Sequence, residues 1–98
     1  MGFLDTYDFD VIKNEAEKLV LHELEVQLTA KNEEICKCEE CVLDMAAIAL
    51  NSVKPLYRCS LLGTLYTMQA MNEKSYADSV QNAVAQAINK VSKNPSHD

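Results

Sequence analysis

Few residues in this chain are able to interrupt a helix. The 98 residues include two glycines and two prolines, and the β-branched residues that favour strands are thinly spread. Because proline removes a backbone donor and glycine weakens a helix, this composition predicts long, uninterrupted helices. A chain of this length has a small core, which a bound metal or a second subunit would help to stabilise. We therefore predict one all-α domain over residues 1–98, with flexible tails at 1–9 and 94–98.

Apolar residues recur at helical spacing in four segments of the chain. In the first segment Asp8 or Asp10 is the predicted N-cap, and the apolar stripe consists of Ile12, Ala16, Leu19, Val20, Leu24 and Leu28. In the last segment Ser75 and Asp78 resemble a capping box. The sequence thus predicts a small four-helix domain, with helices over residues 10–30, 40–53, 60–72 and 75–91.

The second predicted helix, in the stretch CVLDMAAIALNSV, is apolar on nearly all sides. Such a helix is either deeply buried or shared with a partner. Asn51 and Pro55 are predicted to end it, and residues 54–59 (KPLYRC) form an extended connector with room for one short strand. We expect a homodimer in which this helix packs against its counterpart in the second copy.

Charge and hydropathy exclude two classes of partner. The formal net charge is −6, and Arg58 is the single arginine, so we expect binding neither to duplex nucleic acid nor to anionic membrane surfaces. The first residues, MGFLDTYDFD, have neither the basic region nor the apolar core of a secretory signal, and no segment is long enough to span a bilayer. These features predict a cytoplasmic protein whose cysteines stay reduced.

Three of the four cysteines stand in a C-x-C-x-x-C pattern at Cys36, Cys38 and Cys41. This spacing brings three thiols within reach of one tetrahedral ion, and Cys41 falls at a predicted helix start, where backbone N–H groups stabilise a thiolate. We predict a zinc site that clamps this loop, with Cys59 as the fourth ligand and His22 as an alternative. Lys37 and Arg58, each next to a ligand in sequence, would offset its negative charge.

Two other interpretations of the cysteines remain open. A thiol redox sensor fits less well, because the surrounding glutamates raise thiol pKa values unless a cation is near. The other interpretation is that the spacing of the cysteines is a coincidence and that they are ordinary buried hydrophobes. We do not expect this, because their surroundings in the sequence are rich in glutamate. An enzyme is not expected, since the sequence has neither a nucleophile–base pair nor a glycine-rich phosphate loop.

The central stretch CKCEECVLDMAAIALNSVKPLY resembles the signature of the late competence development protein ComFB family. The resemblance rests on the three clustered cysteines, a D-x-x-A-x-A-L-N helix and a P-x-Y connector, here Asp44, Ala47, Ala49, Leu50, Asn51, Pro55 and Tyr57. It covers roughly residues 12–95. The resemblance implies a mostly helical homodimer and, in members with these cysteines, a zinc ion held by them. Some members are receptors for cyclic dinucleotides such as cyclic di-GMP, and those usually lack the cysteine cluster.

Two functions follow as expectations. The first is a dimeric, non-enzymatic regulatory or adaptor module with structural zinc and a protein partner that the sequence does not identify. The second is a cyclic dinucleotide receptor, in which cations and flat side chains near the connector bind phosphate and purine. The residues for such a pocket are Tyr57, Arg58, Tyr66 and Gln69. The simpler interpretation is that these residues bind no ligand. The two tyrosines would then lie at the edge of the core, and Arg58 would be a solvated charge.

Overall fold

The computed structural model describes residues 2–30 and 34–95. Within these ranges the chain is mostly helical, which confirms the predicted fold class. The elements in chain order are helix α1 (Phe3–Thr6), a 3₁₀ turn (Phe9–Val11), strand β1 (Lys13–Asn14), helix α2 (Ala16–Ala30), helix α3 (Glu39–Ser52), strand β2 (Tyr57–Arg58), helix α4 (Leu61–Met71) and helix α5 (Lys74–Lys93). The four longer helices are the predicted four. Helix α1 lies within the predicted N-terminal tail, and most of the predicted C-terminal tail lies outside the described residues.

Helix α2 starts later than the sequence pattern predicted. The side-chain Oδ1 of Asn14 accepts hydrogen bonds from the backbone N–H of Ala16 (3.1 Å) and of Leu56 (2.7 Å). Asn14 therefore caps the helix and at the same time holds the connector beside it. The prediction of Asp8 or Asp10 as the N-cap was wrong, because Asp8 instead accepts from the Asp10 N–H within the 3₁₀ turn.

The residues before α2 pair with the connector. Strand β1 lies antiparallel to β2, with Lys13 opposite Arg58 and Asn14 opposite Tyr57. This ladder takes Ile12 out of the helical stripe to which the sequence assigned it and leaves it 44% exposed. The short strand in the connector was predicted, but its partner was not.

Helices α2, α3 and α5 pack against one another and form the core, with the most extensive contact between α3 and α5. The buried apolar side chains of α3 are Cys41, Met45, Ala46 and Ala49. Helix α5 contributes a stripe of Tyr76, Val80, Ala83, Val84, Ala87, Ile88 and Val91. One apolar face of α3 is thus covered within the chain, by α2 and α5.

Three contacts fix the directions of these helices. The Lys37 ammonium donates to the carbonyl of Leu28 (3.1 Å), so the loop before α3 lies at the C-terminal end of α2. The Glu15 N–H donates to the Leu56 carbonyl (2.8 Å), so the connector lies at the other end. The Tyr76 hydroxyl donates to the Lys54 carbonyl (2.7 Å), which places the start of α5 beside the connector. Helix α5 therefore runs back towards the loop before α3.

Helix α4 lies apart from this core. It contacts β2 and, more weakly, α5, and none of its described side chains is fully buried. Its exposed apolar side chains include Leu62 (64%), Leu65 (57%) and Met68 (53%), which we call the α4 surface. The chain measures 47 × 38 × 17 Å with a radius of gyration of 15.9 Å, whereas a compact chain of this length has about 13 Å. The fold is flat and leaves one apolar helix uncovered.

Helix α5 also begins differently from its prediction. Its N-cap is Glu73, without a side-chain capping hydrogen bond, and Ser75 lies inside the first turn. Asp78 pairs with Lys74 (3.0 Å) instead of closing a capping box.

Candidate metal centre

The structure brings Cys36, Cys38 and Cys41 together. Their Sγ atoms all lie within 4.8 Å of one another, and none of the four cysteines of the chain forms a disulfide. Sulfur ligands at about 2.3 Å from a tetrahedral zinc are roughly 3.8 Å apart, so a small contraction converts this arrangement into three corners of a zinc site. The donor set therefore fits a thiophilic metal such as zinc.

The start of α3 holds two of these thiols in place. Cys38 is the N-cap residue, with an extended backbone (φ −69°, ψ 162°), and its carbonyl accepts the first helical hydrogen bond, from the Val42 N–H (3.0 Å). Cys41 lies in the first turn and is 0% exposed, while Cys38 is exposed and Cys36 is partly buried. The Lys37 side chain, hydrogen-bonded to Leu28, ties the loop between them to α2. The three thiols thus lie where the residues before α3 meet helices α2 and α3.

Hydrogen bonding favours the charged form of one member of the group. The backbone of Cys38 lowers the pKa of the Cys36 thiol, and the side chain of Cys38 and, more weakly, that of Cys41 act in the same direction against the effect of burial. Hydrogen bonds to a thiolate stabilise it. A thiolate is the form that binds metal, so this environment suits a ligand.

The structure does not place Cys59 with the other three cysteines. Its neighbour Arg58 pairs with Glu15 at the start of α2, whereas the cluster lies near Leu28 at the end of that helix. At 1.5 Å per residue, the two ends of α2 are roughly 20 Å apart. His22, the predicted alternative, is exposed in the middle of α2. Among the described residues, the group that could hold a metal ion contains the three cysteines alone.

Arg58 forms an ion pair with Glu15. Its Nε lies 2.7 Å from Oε1 of Glu15, whose side chain is 11% exposed. Lys18 approaches the same carboxylate at 3.7 Å. A buried carboxylate requires such a partner, because an unpaired charge is costly to remove from water. Arg58 thus neutralises Glu15 and fastens β2 to α2, a role that the sequence did not indicate.

The other three predicted ligand-binding residues line one groove. Tyr57, Tyr66 and Gln69 surround it, and the lining is completed by Lys54, Pro55, Leu56, Ala70 and Glu73. The groove has a volume of about 340 Å³, and both tyrosines are well exposed, at 62% and 67%. Burial raises the pKa of the neighbouring Tyr76, whose hydroxyl keeps its proton and donates to Lys54.

Sequence reasoning did not single out the α4 surface. The signal was present, since this helix is strongly apolar without a clear polar face. None of the helices in the described ranges has the length and apolarity needed to cross a membrane.

Comparisons with known proteins agree on one family. The family described as late competence development protein ComFB matches residues 13–95 of this chain. In three dimensions the chain is similar to the late competence protein ComFB from Bacillus subtilis, at 25% sequence identity and a TM-score of 0.69, over 87% of this chain and 92% of that one. A comparison with curated proteins finds no match.

Proposed function

The chain belongs to the late competence development protein ComFB family, and we propose that it is a non-enzymatic regulatory or adaptor module with a structural zinc site. The observation that carries this proposal is the convergence of three cysteine sulfurs within 4.8 Å at the start of α3. We place the module in the cytoplasm, where thiols remain reduced and available to a metal.

Bound zinc would link the residues before α3 to the first turn of that helix. Cys36 belongs to the loop after α2, and Cys41 belongs to the buried face of α3. A metal–sulfur link between them fixes that loop against the core, and small domains gain folding free energy in this way. Lys37 lies within the same loop and offsets part of the negative charge of three thiolates.

Native mass spectrometry of the freshly purified protein tests the metal proposal. We expect one zinc ion per chain in the wild type and in Cys59→Ser, and none in Cys38→Ser, because only the last change removes a sulfur of the cluster. The two cysteines are both exposed, so the variants form a matched pair. Full zinc occupancy in Cys38→Ser, or its loss in Cys59→Ser alone, would contradict the assignment.

The same measurement identifies the fourth ligand. Helix α5 runs towards the cysteine cluster and ends at Lys93, and His97 follows it in sequence beyond the described residues. His22→Ala and His97→Ala therefore complete the set of variants. Loss of zinc in either one names the missing ligand, whereas retention in both leaves a carboxylate, solvent or a second copy in that position.

We also propose that a second copy of the chain covers the α4 surface. The support is the exposure of Leu62, Leu65 and Met68 on a helix with little contact to the core, together with the flat shape of the chain. Burying such side chains is favourable by roughly 25 cal/mol per Å² of apolar area. The predicted dimer contact through α3 is replaced in this proposal by one through α4.

A second candidate function is binding of a cyclic dinucleotide in the groove beside the connector. The favouring observation is that exposed Tyr57 and Tyr66 share one groove with Gln69 and Lys54. Flat rings stack on purines, and a lysine attracts phosphate. The lining of this groove does not include Arg58, which is paired with Glu15.

Calorimetric titration with cyclic di-GMP tests this second function. If it is correct, Tyr66→Ala should weaken binding by roughly 5- to 150-fold, the effect of losing one stacked base. Tyr7→Ala is the matched control, since Tyr7 is similarly exposed (57%) but lies outside the groove. Absence of heat for the wild type at high micromolar ligand would exclude the groove as a cyclic di-GMP site.

A further inference from the structure

The two cysteines of the C-x-x-C half of the cluster have very different access to solvent. Cys38 is exposed at the N-cap of α3, whereas Cys41, in the first turn of the same helix, is 0% exposed. Their sulfurs lie within 4.8 Å of each other. Zinc binding requires the sulfurs to be close together, but it does not require one to be exposed and the other buried. An outer thiolate open to a reagent and an inner one protected beside it are the arrangement that thiol–disulfide chemistry uses.

We propose that Cys38 and Cys41 form a peroxide-responsive switch, in which oxidation to a disulfide releases the zinc ion. This inference rests on the proposed zinc site and adds its regulation. Cys38 is the residue that the oxidant attacks, and Cys41 is the residue that closes the disulfide. The oxidant is a neutral hydroperoxide.

The chemistry balances with hydrogen peroxide as the oxidant. The Cys38 thiolate attacks one peroxide oxygen, the O–O bond breaks, and the leaving hydroxide takes a proton to become water. The resulting sulfenic acid is attacked at sulfur by the Cys41 thiolate, so the S–S bond forms and the S–O bond breaks with release of a second water. In sum, two thiolates, one hydrogen peroxide and two protons give one disulfide and two waters.

Cys38 and Cys41 are placed so that they can form a disulfide. Both residues belong to the start of one helix, so their sulfurs need to approach by only a few ångströms to reach the disulfide length of about 2.05 Å. Once both are oxidised, the cluster retains a single thiolate, at Cys36. One thiolate is too few protein ligands to hold zinc against solvent.

The charge around the cluster selects the oxidant. Glu34, Glu39 and Glu40 are all exposed beside it, and Lys37 is the neighbouring cation within the described part of this loop. This acidic surface repels anionic oxidants such as oxidised glutathione but not a neutral hydroperoxide. We therefore expect hydrogen peroxide to act faster than oxidised glutathione at equal concentration.

The test uses the full-length protein loaded with zinc and treated with hydrogen peroxide. Zinc release is followed with a chromogenic chelator, and intact mass and peptide mapping follow the cysteines. We expect one zinc to be released per disulfide formed, the disulfide to join Cys38 and Cys41, and both events to precede oxidation of Cys59. Cys59 is exposed and outside the cluster, so it serves as an internal reference thiol. Reduction and added zinc should restore the starting state.

Two results would overturn the switch and leave the zinc site intact. One is zinc retained at peroxide concentrations that already oxidise Cys59, and the other is zinc released while the mapped disulfide excludes Cys38 or Cys41. Failure of the zinc proposal itself has a different signature, namely protein that holds no zinc before peroxide is added.

Discussion

Replacement of Cys41 by serine is expected to abolish metal binding and to lower the melting temperature by roughly 12–24 °C. Cys41 is 0% exposed and belongs both to the core and to the sulfur cluster. The variant loses a metal ligand and places a hydroxyl where a weakly polar thiol is buried, and together these changes cost about 3 kcal/mol or more. Thermal unfolding followed by circular dichroism, with zinc content measured on the same samples, checks this result.

Chelation separates the effect of losing the metal from the effect of placing a hydroxyl in the core. A strong chelator should lower the melting temperature of the wild type and of Cys59→Ser but leave that of Cys41→Ser unchanged, since the last has no metal to lose. Wild-type protein that melts at the same temperature with and without the chelator would show that the metal does not stabilise the fold. A zinc-containing Cys41→Ser variant would remove this residue from the site.

Leu65→Glu is expected to convert a dimer into a monomer. Leu65 is 57% exposed at the centre of the α4 surface, and a two-fold contact would bury the new carboxylate twice, once from each copy. An unpaired buried charge is costly, so we expect the dissociation constant to rise at least about 100-fold. Sedimentation equilibrium distinguishes the 11.0 kDa chain from a species of twice that mass.

Leu21→Glu provides the matched control for the dimer. Leu21 is 51% exposed on α2, away from the α4 surface, and it receives the same change in size and charge. It should remain dimeric. A monomeric wild type, or a dimer that Leu21→Glu dissociates and Leu65→Glu does not, would contradict the assignment of α4 as the interface.

Local sequence pattern was sufficient for most of the fold. The stripe of Val20, Leu24 and Leu28 and that of Val80, Ala87 and Val91 are buried as the helical spacing predicts. The Ser60 side chain caps α4 by accepting a hydrogen bond from the Gly63 N–H (3.2 Å). These features depend on residues within one or two turns of each other, and such information is present in a short window of sequence.

What the sequence did not predict depends on contacts between distant segments. The start of α2 is set by Asn14, whose second hydrogen bond goes to Leu56, and the role of Arg58 is set by Glu15. The cysteines show the same difference between local and long-range information. Three of them are close because of their spacing in the sequence, whereas the position of Cys59 depends on the path of the connector. Side chains brought together by tertiary structure have no fixed separation along the chain.

Zinc-edge X-ray absorption spectroscopy of the freshly purified, unoxidised protein tests the central claim most directly. If Cys36, Cys38 and Cys41 bind a zinc ion, the first shell should contain at least three sulfur atoms at about 2.3 Å. A first shell of nitrogen and oxygen alone, or protein purified without chelator that holds no zinc, would contradict it.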